Sequence, residues 1–151
     1  MRFSARVDYA VRAAAELAAA PPGPMGAPEI AEAQGIPLRF LEAILLELRR
    51  AGIVRSQRGH DGGYWLDRPA EDISLADVIR AVRGPLAAVR GERPEDVDYV
   101  GPAAALRDVW IALRASERRI LECVSLAQVV KGQLPAAIRT LARDPDAWEP
   151  R

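Results

Sequence analysis

The sequence predicts a mostly α-helical protein with one small β-hairpin and, late in the chain, one long helix. Three observations lead there. Apolar residues recur at three- and four-residue intervals in several separate stretches. Two short runs rich in β-branched or aromatic residues, 53–58 and 64–66, bracket the glycine-rich turn Gly59-His60-Asp61-Gly62-Gly63. The stretch 103–124 then keeps helical spacing for longer than any other. With 151 residues, 50% of them hydrophobic, the chain has enough apolar surface for a buried core and room for one domain or two small ones.

Ser4 is placed to cap a first helix whose apolar positions are Val7, Ala10, Val11, Ala14, Leu17 and Ala18, ended by Pro21-Pro22-Gly23. Pro28 suits the first turn of a second helix, which runs through Ile30 and Ala31 to Gly35. After the turn Gly35-Ile36-Pro37, a third helix sets Leu41, Ile44, Leu45 and Leu48 on one face and stops near Gly52. Two helices across a short glycine-containing turn form a helix-turn-helix unit, and the hairpin that follows makes it winged. Ser74 then caps a helix with the stripe Leu75, Val78, Ile79 and Val82, closed by Gly84-Pro85. Residues 84–102 hold three Gly, three Pro and a charged centre, so they are expected to form a long connecting loop, and a loop of that length tends to be functional. In the long helix Leu106, Val109, Trp110, Leu113, Ile120, Leu121 and Val124 form the apolar stripe, with Glu117 falling on it. Ser125 caps a further short helix, and 143–151 is a polar tail. The expected organisation is therefore a winged-helix domain over 1–84, a regulatory loop over 85–102, a dimerisation helix and short helix over 103–142, and the tail.

A winged helix-turn-helix points to double-stranded DNA, with the third helix in the major groove. Arg39, Phe40 and Glu42 lie near its start, largely off the apolar face; arginine suits guanine O6 and N7, and glutamate accepts from cytosine N4. Arg49, Arg50 and Arg55 are placed for phosphates. The amides opening the first helix, beside Ser4 and Arg6, are a further phosphate candidate. Arg58 and His60, with Gly59, Gly62, Gly63 and Tyr64, make a slim tip whose arginine suits a narrow minor groove. Each of these charged residues also has a plain alternative as part of a solvated face, and Phe40 as a core residue.

Net charge gives no support of its own, because 21 Lys+Arg balance 21 Asp+Glu. The signal is local: between Leu48 and His60 stand Arg49, Arg50, Arg55 and Arg58 with no carboxylate. A single cysteine, Cys123, excludes an internal disulfide framework and any all-cysteine metal cage within one chain; it is expected to be a buried apolar residue. Arg6, Asp8, Arg12 and Glu16 interrupt the alanine-rich start, so neither a signal sequence nor a membrane span is expected and the protein is assigned to the cytoplasm. One His, one Cys and no nucleophile–base spacing argue against an enzyme. A winged-helix protein-interaction module that does not bind DNA is the standing alternative.

The run from Ser4 through Tyr9-Ala10-Val11, then Ile36 to Glu42, Leu48 to Val54, and Arg58-Gly59 through Gly62-Gly63-Tyr64 resembles the Rrf2 family of bacterial repressors. The resemblance covers nearly the whole chain. It implies a homodimer paired through the long helix, with the wing arginine, here Arg58, in the minor groove and the recognition-helix glutamate, here Glu42, facing bases. Cluster-binding members carry three cysteines before the long helix, whereas residues 84–105 have none, so the resemblance implies no iron–sulfur cluster and no cofactor here. Gly84-Pro85-Leu86 and Asp108-Val109-Trp110 look like the cluster-free branch typified by the cysteine-metabolism repressor CymR, which suggests sulfur or cysteine genes as targets. Arg90, Asp96, Asp98 and Tyr99 in the connecting loop are the candidates for contact with a small-molecule effector or regulatory protein.

Overall fold

The computed structural model describes residues 3–149. Helix α1, Ala5–Ala19, is the centre of the head. The Ser4 hydroxyl accepts from the Val7 amide (3.4 Å), and Ala10, Ala13 and Ala14 are fully buried. These small side chains let α1 pack closely against the other head helices. Helix α2, Ala27–Gln34, begins with Pro28 in its first turn and ends at Gly35, whose φ of 59° is the left-handed cap that glycine adopts without strain. Helix α3, Leu38–Arg50, buries Leu41, Ile44, Leu45 and Leu48 completely against α1, α2 and the next helix.

Strands β1, Val54–Gln57, and β2, Gly63–Leu66, pair antiparallel with Val54 opposite Leu66 and Gln57 opposite Gly63. The expected first strand was one residue longer at each end. Ile53 is buried but outside the ladder, with its carbonyl accepting from Asp67, and Arg58 belongs to the turn. A feature the sequence did not announce anchors the hairpin: Met25 and Tyr64 exchange two backbone hydrogen bonds of 2.9 Å, tying the approach to α2 onto β2.

Helix α4, Leu75–Arg83, opens with a reciprocal cap in which the Ser74 hydroxyl accepts from the Asp77 amide (3.1 Å) and the Asp77 carboxylate from the Ser74 amide (3.0 Å). The connecting segment is folded, not open. Leu86, Pro94 and Val97 are buried, and single 3-10 turns occupy Pro94–Asp96 and Gly101–Ala103. Helix α5, Leu106–Leu121, is therefore shorter than the expected 103–124. The 3-10 turn containing Pro102 takes Ala103, and Ala104 and Ala105 complete the turn before the helix. At its far end the chain leaves the helical path because Val124 and Leu126 bond to the strand-like entry of α4. The Leu75 amide donates to the Val124 carbonyl, and the Leu126 amide to that of Ile73, each at 2.9 Å. Val124, expected on the dimerisation stripe, is instead 3% exposed within one protomer.

Helix α6, Leu126–Val130, has the expected Ser125 cap, but it turns back onto α1, with Leu126 fully buried in the same core as Ile30, Leu45 and Ile73. The core of residues 1–84 is thus completed from beyond α5. Cys123 corrects another expectation: it is exposed, its thiol donating to the Ile120 carbonyl (3.3 Å), because the bend after α5 turns it outward. Helix α7, Ala136–Ala142, buries no residue, and the Trp148 indole folds back to donate to the Ala142 carbonyl (2.8 Å). Residues 150 and 151 of the expected tail lie outside the described residues.

The junction of α4 and α5 joins apolar packing of Leu121 on Ala76 and Ile79 to a cluster of ion pairs. Glu122 pairs with Arg80, and Arg118 donates to the same oxygen (3.0 Å). The Arg80 bond, opposed by partial desolvation and helped by Arg118, holds the Glu122 carboxyl below its ordinary value of 4.5. A depressed folded-state pKa stabilises above the unfolded value and loses that contribution as pH falls through the folded one. Acid unfolding of the native protein should therefore show a loss of stability below pH 4.5 that Glu122→Gln diminishes; an identical profile in the variant would show that this pair does not hold the junction.

Candidate nucleic-acid interface

Burial of one face of α3 leaves Arg39, Phe40, Glu42, Ala43, Arg49 and Arg50 on exposed positions. Arg39, Glu42 and Arg50 make no side-chain hydrogen bond or ion pair among the described residues, so their polar groups are available to a ligand. Phe40 is 46% exposed and meets Tyr9 edge-on, centroids 5.9 Å apart, so it belongs neither to the core nor wholly to solvent. Arg12 lies over the other ring of that pair, 5.6 Å from the Tyr9 centroid.

The remaining arginines differ. Arg49 donates to the Ser56 hydroxyl (3.2 Å), which ties the end of α3 to β1. Arg55 is ion-paired with Asp67 across the hairpin, and Arg6 with Glu47 of α3. A guanidinium with five donors can keep such a partner and still present others, but the partner lowers its net attraction for phosphate. Ser4 caps α1, so one of the amides considered for phosphate already has a partner.

At the tip, Arg58, Gly59, His60 and Asp61 are exposed, and Arg58 has no intramolecular partner among the described residues. The turn is closed by the Gly62 amide donating to the Gly59 carbonyl (3.1 Å), with Gly59 at φ 114°. Gly62 and Gly63 answer to packing: a Cβ on Gly62 would sit 2.3 Å from the Gln57 carbonyl oxygen, and one on Gly63 2.6 Å from that of Met25. Tyr64 is half-buried and packs against the core. These three residues hold the tip in place; Arg58 and His60 are what it presents.

The loop candidates are less coherent. Arg90, Asp96 and Asp98 are exposed without side-chain partners among the described residues, whereas Tyr99 is half-buried and accepts from the Trp110 indole (3.0 Å). Of the proposed dimer stripe, Leu106, Val109, Leu113 and Ile120 are exposed along α5, while Trp110 is half-buried and Leu121 packs on the Val7, Ala76, Ile79 and Leu86 cluster. Sequence reasoning did not anticipate that Glu117, between them, is buried; its place on an apolar stripe was the available signal.

Comparison with known proteins decides the family. Residues 3–132 match the family described as Rrf2, iron-dependent transcriptional regulator. The chain belongs to the Rrf2 family. A helix-turn-helix-type transcriptional regulator of Mycobacterium tuberculosis is 51% identical over 150 residues, covering 99% of this chain and 93% of the relative. The transcriptional regulator IscR of Xenorhabdus nematophila is 36% identical over 134 residues, 88% of this chain and 81% of that one. Among solved structures, CymR, described as the global cysteine regulator of B. subtilis, superimposes with a TM-score of 0.72 at 29% identity, covering 87% of this chain and 98% of that one. IscR of T. potens gives 0.68, also at 29% identity, over 100% and 93%. The Rrf2 protein is accordingly a DNA-binding transcriptional regulator of winged-helix architecture and not an enzyme.

The family description raises iron, and the donor set here does not fit it. The chain has one cysteine and one histidine, at the end of α5 and at the wing tip, and no three His, Cys, Asp or Glu side chains among the described residues converge on a metal-sized site. Also among the described residues, no helix is long and apolar enough to cross a membrane.

The wing geometry is directly testable. Gly63→Ala should cost roughly 1–3 kcal/mol in urea unfolding, because its methyl meets backbone that cannot rotate away. Wild-type stability in that variant would show that the Met25 bridge is not held in solution.

Proposed function

We propose that this Rrf2 protein is a homodimeric, cluster-free repressor that reads a palindromic operator, α3 in the major groove and the hairpin in the flanking minor groove. The observation that carries this reading is the set of unpaired side chains, Arg39, Glu42 and Arg50 on the outer face of α3 and Arg58 at the tip, joined to one frame by the Arg49–Ser56 bond. The exposed row Leu106, Val109, Leu113 and Ile120 supports pairing of two α5 helices. Two heads on one such pair suit half-sites about 34–36 Å apart, with A·T-rich sequence where the tips land. The lone cysteine and the likeness to a structure described as a global cysteine regulator support cluster-free control of sulfur or cysteine genes. A cytoplasmic location follows from that role. The exposed Arg90, Asp96 and Asp98 suit a regulatory protein docking on the connecting segment.

Selection of the operator from randomised duplexes, followed by binding titrations at several salt concentrations, tests the reading. Arg58→Ala should weaken binding about tenfold and reduce the salt slope by about one. Arg55→Ala should do less, because Asp67 already neutralises it. Glu42→Ala should relax preference at one base pair per half-site, by about 1–3 kcal/mol of discrimination. If the wild-type protein shows neither sequence preference nor salt-dependent duplex binding, it is an interaction module, not an operator-binding regulator.

A further inference from the structure

Glu117 is 6% exposed, and neither carboxylate oxygen has a hydrogen-bond partner. It is the one buried charged residue among the described residues. Arg114 pairs with Glu95, and Arg118 and Arg80 pair with Glu122, while Arg83, the arginine at the same cavity, makes no hydrogen bond to Glu117. Buried polar groups are nearly always satisfied, since an unpartnered carboxylate out of water is costly, so such a residue marks a place that something else completes.

The surroundings say what. Glu117 lines a cavity of about 350 Å³ between the end of α4, the residues that follow it and α5, at the small end of the range for small-molecule pockets. Its walls are apolar, formed by Ala88, Val89 and Leu113, with Trp110 two turns before Glu117 on the same helix. The Trp110 N–H is bonded to Tyr99, which leaves the indole ring for apolar or cationic contact. Arg83, at the same cavity, is exposed and disfavours a second positive group. Ala87, on the wall, is held at φ 50°, a strained backbone state that collects at ligand sites. A metal ion lacks further donors here.

We propose that this cavity binds a small organic monoamine, its ammonium paired with Glu117 and its apolar or aromatic body lying on Trp110 and Val89. The inference goes beyond the operator reading. Occupancy would bridge α4 of the head and α5, the elements whose relative position sets the orientation of the reading helix.

Calorimetric titration of the full-length protein, without DNA, tests it separately from operator binding. Phenethylamine is the probe, and 2-phenylethanol is its neutral isostere. The amine should bind at least about tenfold more tightly than the alcohol, the scale of a charge-assisted bond. Glu117→Gln should erase that preference, and Ala88→Phe, which fills the cavity, should abolish binding of both. Should Glu117→Gln fail to fold, Ala88→Phe decides alone. No amine binding at millimolar concentration, or a preference surviving in a folded Glu117→Gln or in Ala88→Phe, overturns the proposal. A dimer weakened by Glu117→Gln in a protein that ignores the amine would mean that a second copy of the chain completes the carboxylate, which also overturns it.

Discussion

Complete burial of Leu41, Ile44, Leu45 and Leu48 is the constraint on which the rest depends. A helix has one angular setting that buries four such side chains at once, and that setting dictates what the opposite face shows. Arg39, Glu42, Arg49 and Arg50 point outward because they lie off the arc of the helix that those four side chains occupy. The helix has no freedom to present a different face without exposing leucine. Its start is set by Pro37 after the left-handed Gly35, and its end by the Arg49–Ser56 bond and Gly52 at φ 71°. Hairpin and helix therefore move as one body, and the wing is held from a third side by Met25.

The same logic extends to the spacing of any two heads. Helix α5 is fastened near its start to the connecting segment and at its far end to the head of its own protomer. Near its start, Trp110 bonds Tyr99 and Arg114 pairs with Glu95, both in the connecting segment. After its end, Glu122 pairs with Arg80, and Leu126 inserts into the core beside Ile73. A surface on α5 that pairs with another copy then fixes α3 through packed side chains and short ion pairs, with no flexible linker between.

Legibility in the sequence followed the range of the interactions. Caps, turn glycines and helical stripes are local, so Ser4, Ser74, Ser125, Gly35 and the α3 face were readable, and with them the fold class and the exposure of Arg39, Glu42 and Arg58. What was lost depends on contacts distant in the chain. Val124 reads as the next apolar position of a long helix, yet the backbone pairing with Leu75 removes it from that helix and buries it. Cys123, judged by residue type alone, belongs inside; the bend after Leu121 places it outside. The ordering of 85–102 rests on Leu86, Pro94 and Val97 finding partners, which a count of glycines and prolines cannot reveal. Nothing local distinguishes Arg55, paired with Asp67, from Arg58, which is not.

That last distinction explains how a chain with no net charge can still leave guanidinium groups unpaired on one face. Its acids are not spread evenly over its bases. Glu47 neutralises Arg6, Asp67 neutralises Arg55, Asp8 pairs with Arg12, and Glu95 and Glu122 serve the α4–α5 junction. Arg39, Arg50 and Arg58 are left without such partners on or beside the exposed face of α3, against Glu42, the single unpaired carboxylate of that helix among the described residues. At physiological ionic strength the field of distant charges fades within about 8 Å, so the unpaired guanidinium groups, not the sum over the chain, determine what a phosphate backbone would meet. Whole-chain neutrality and local attraction are compatible for that reason.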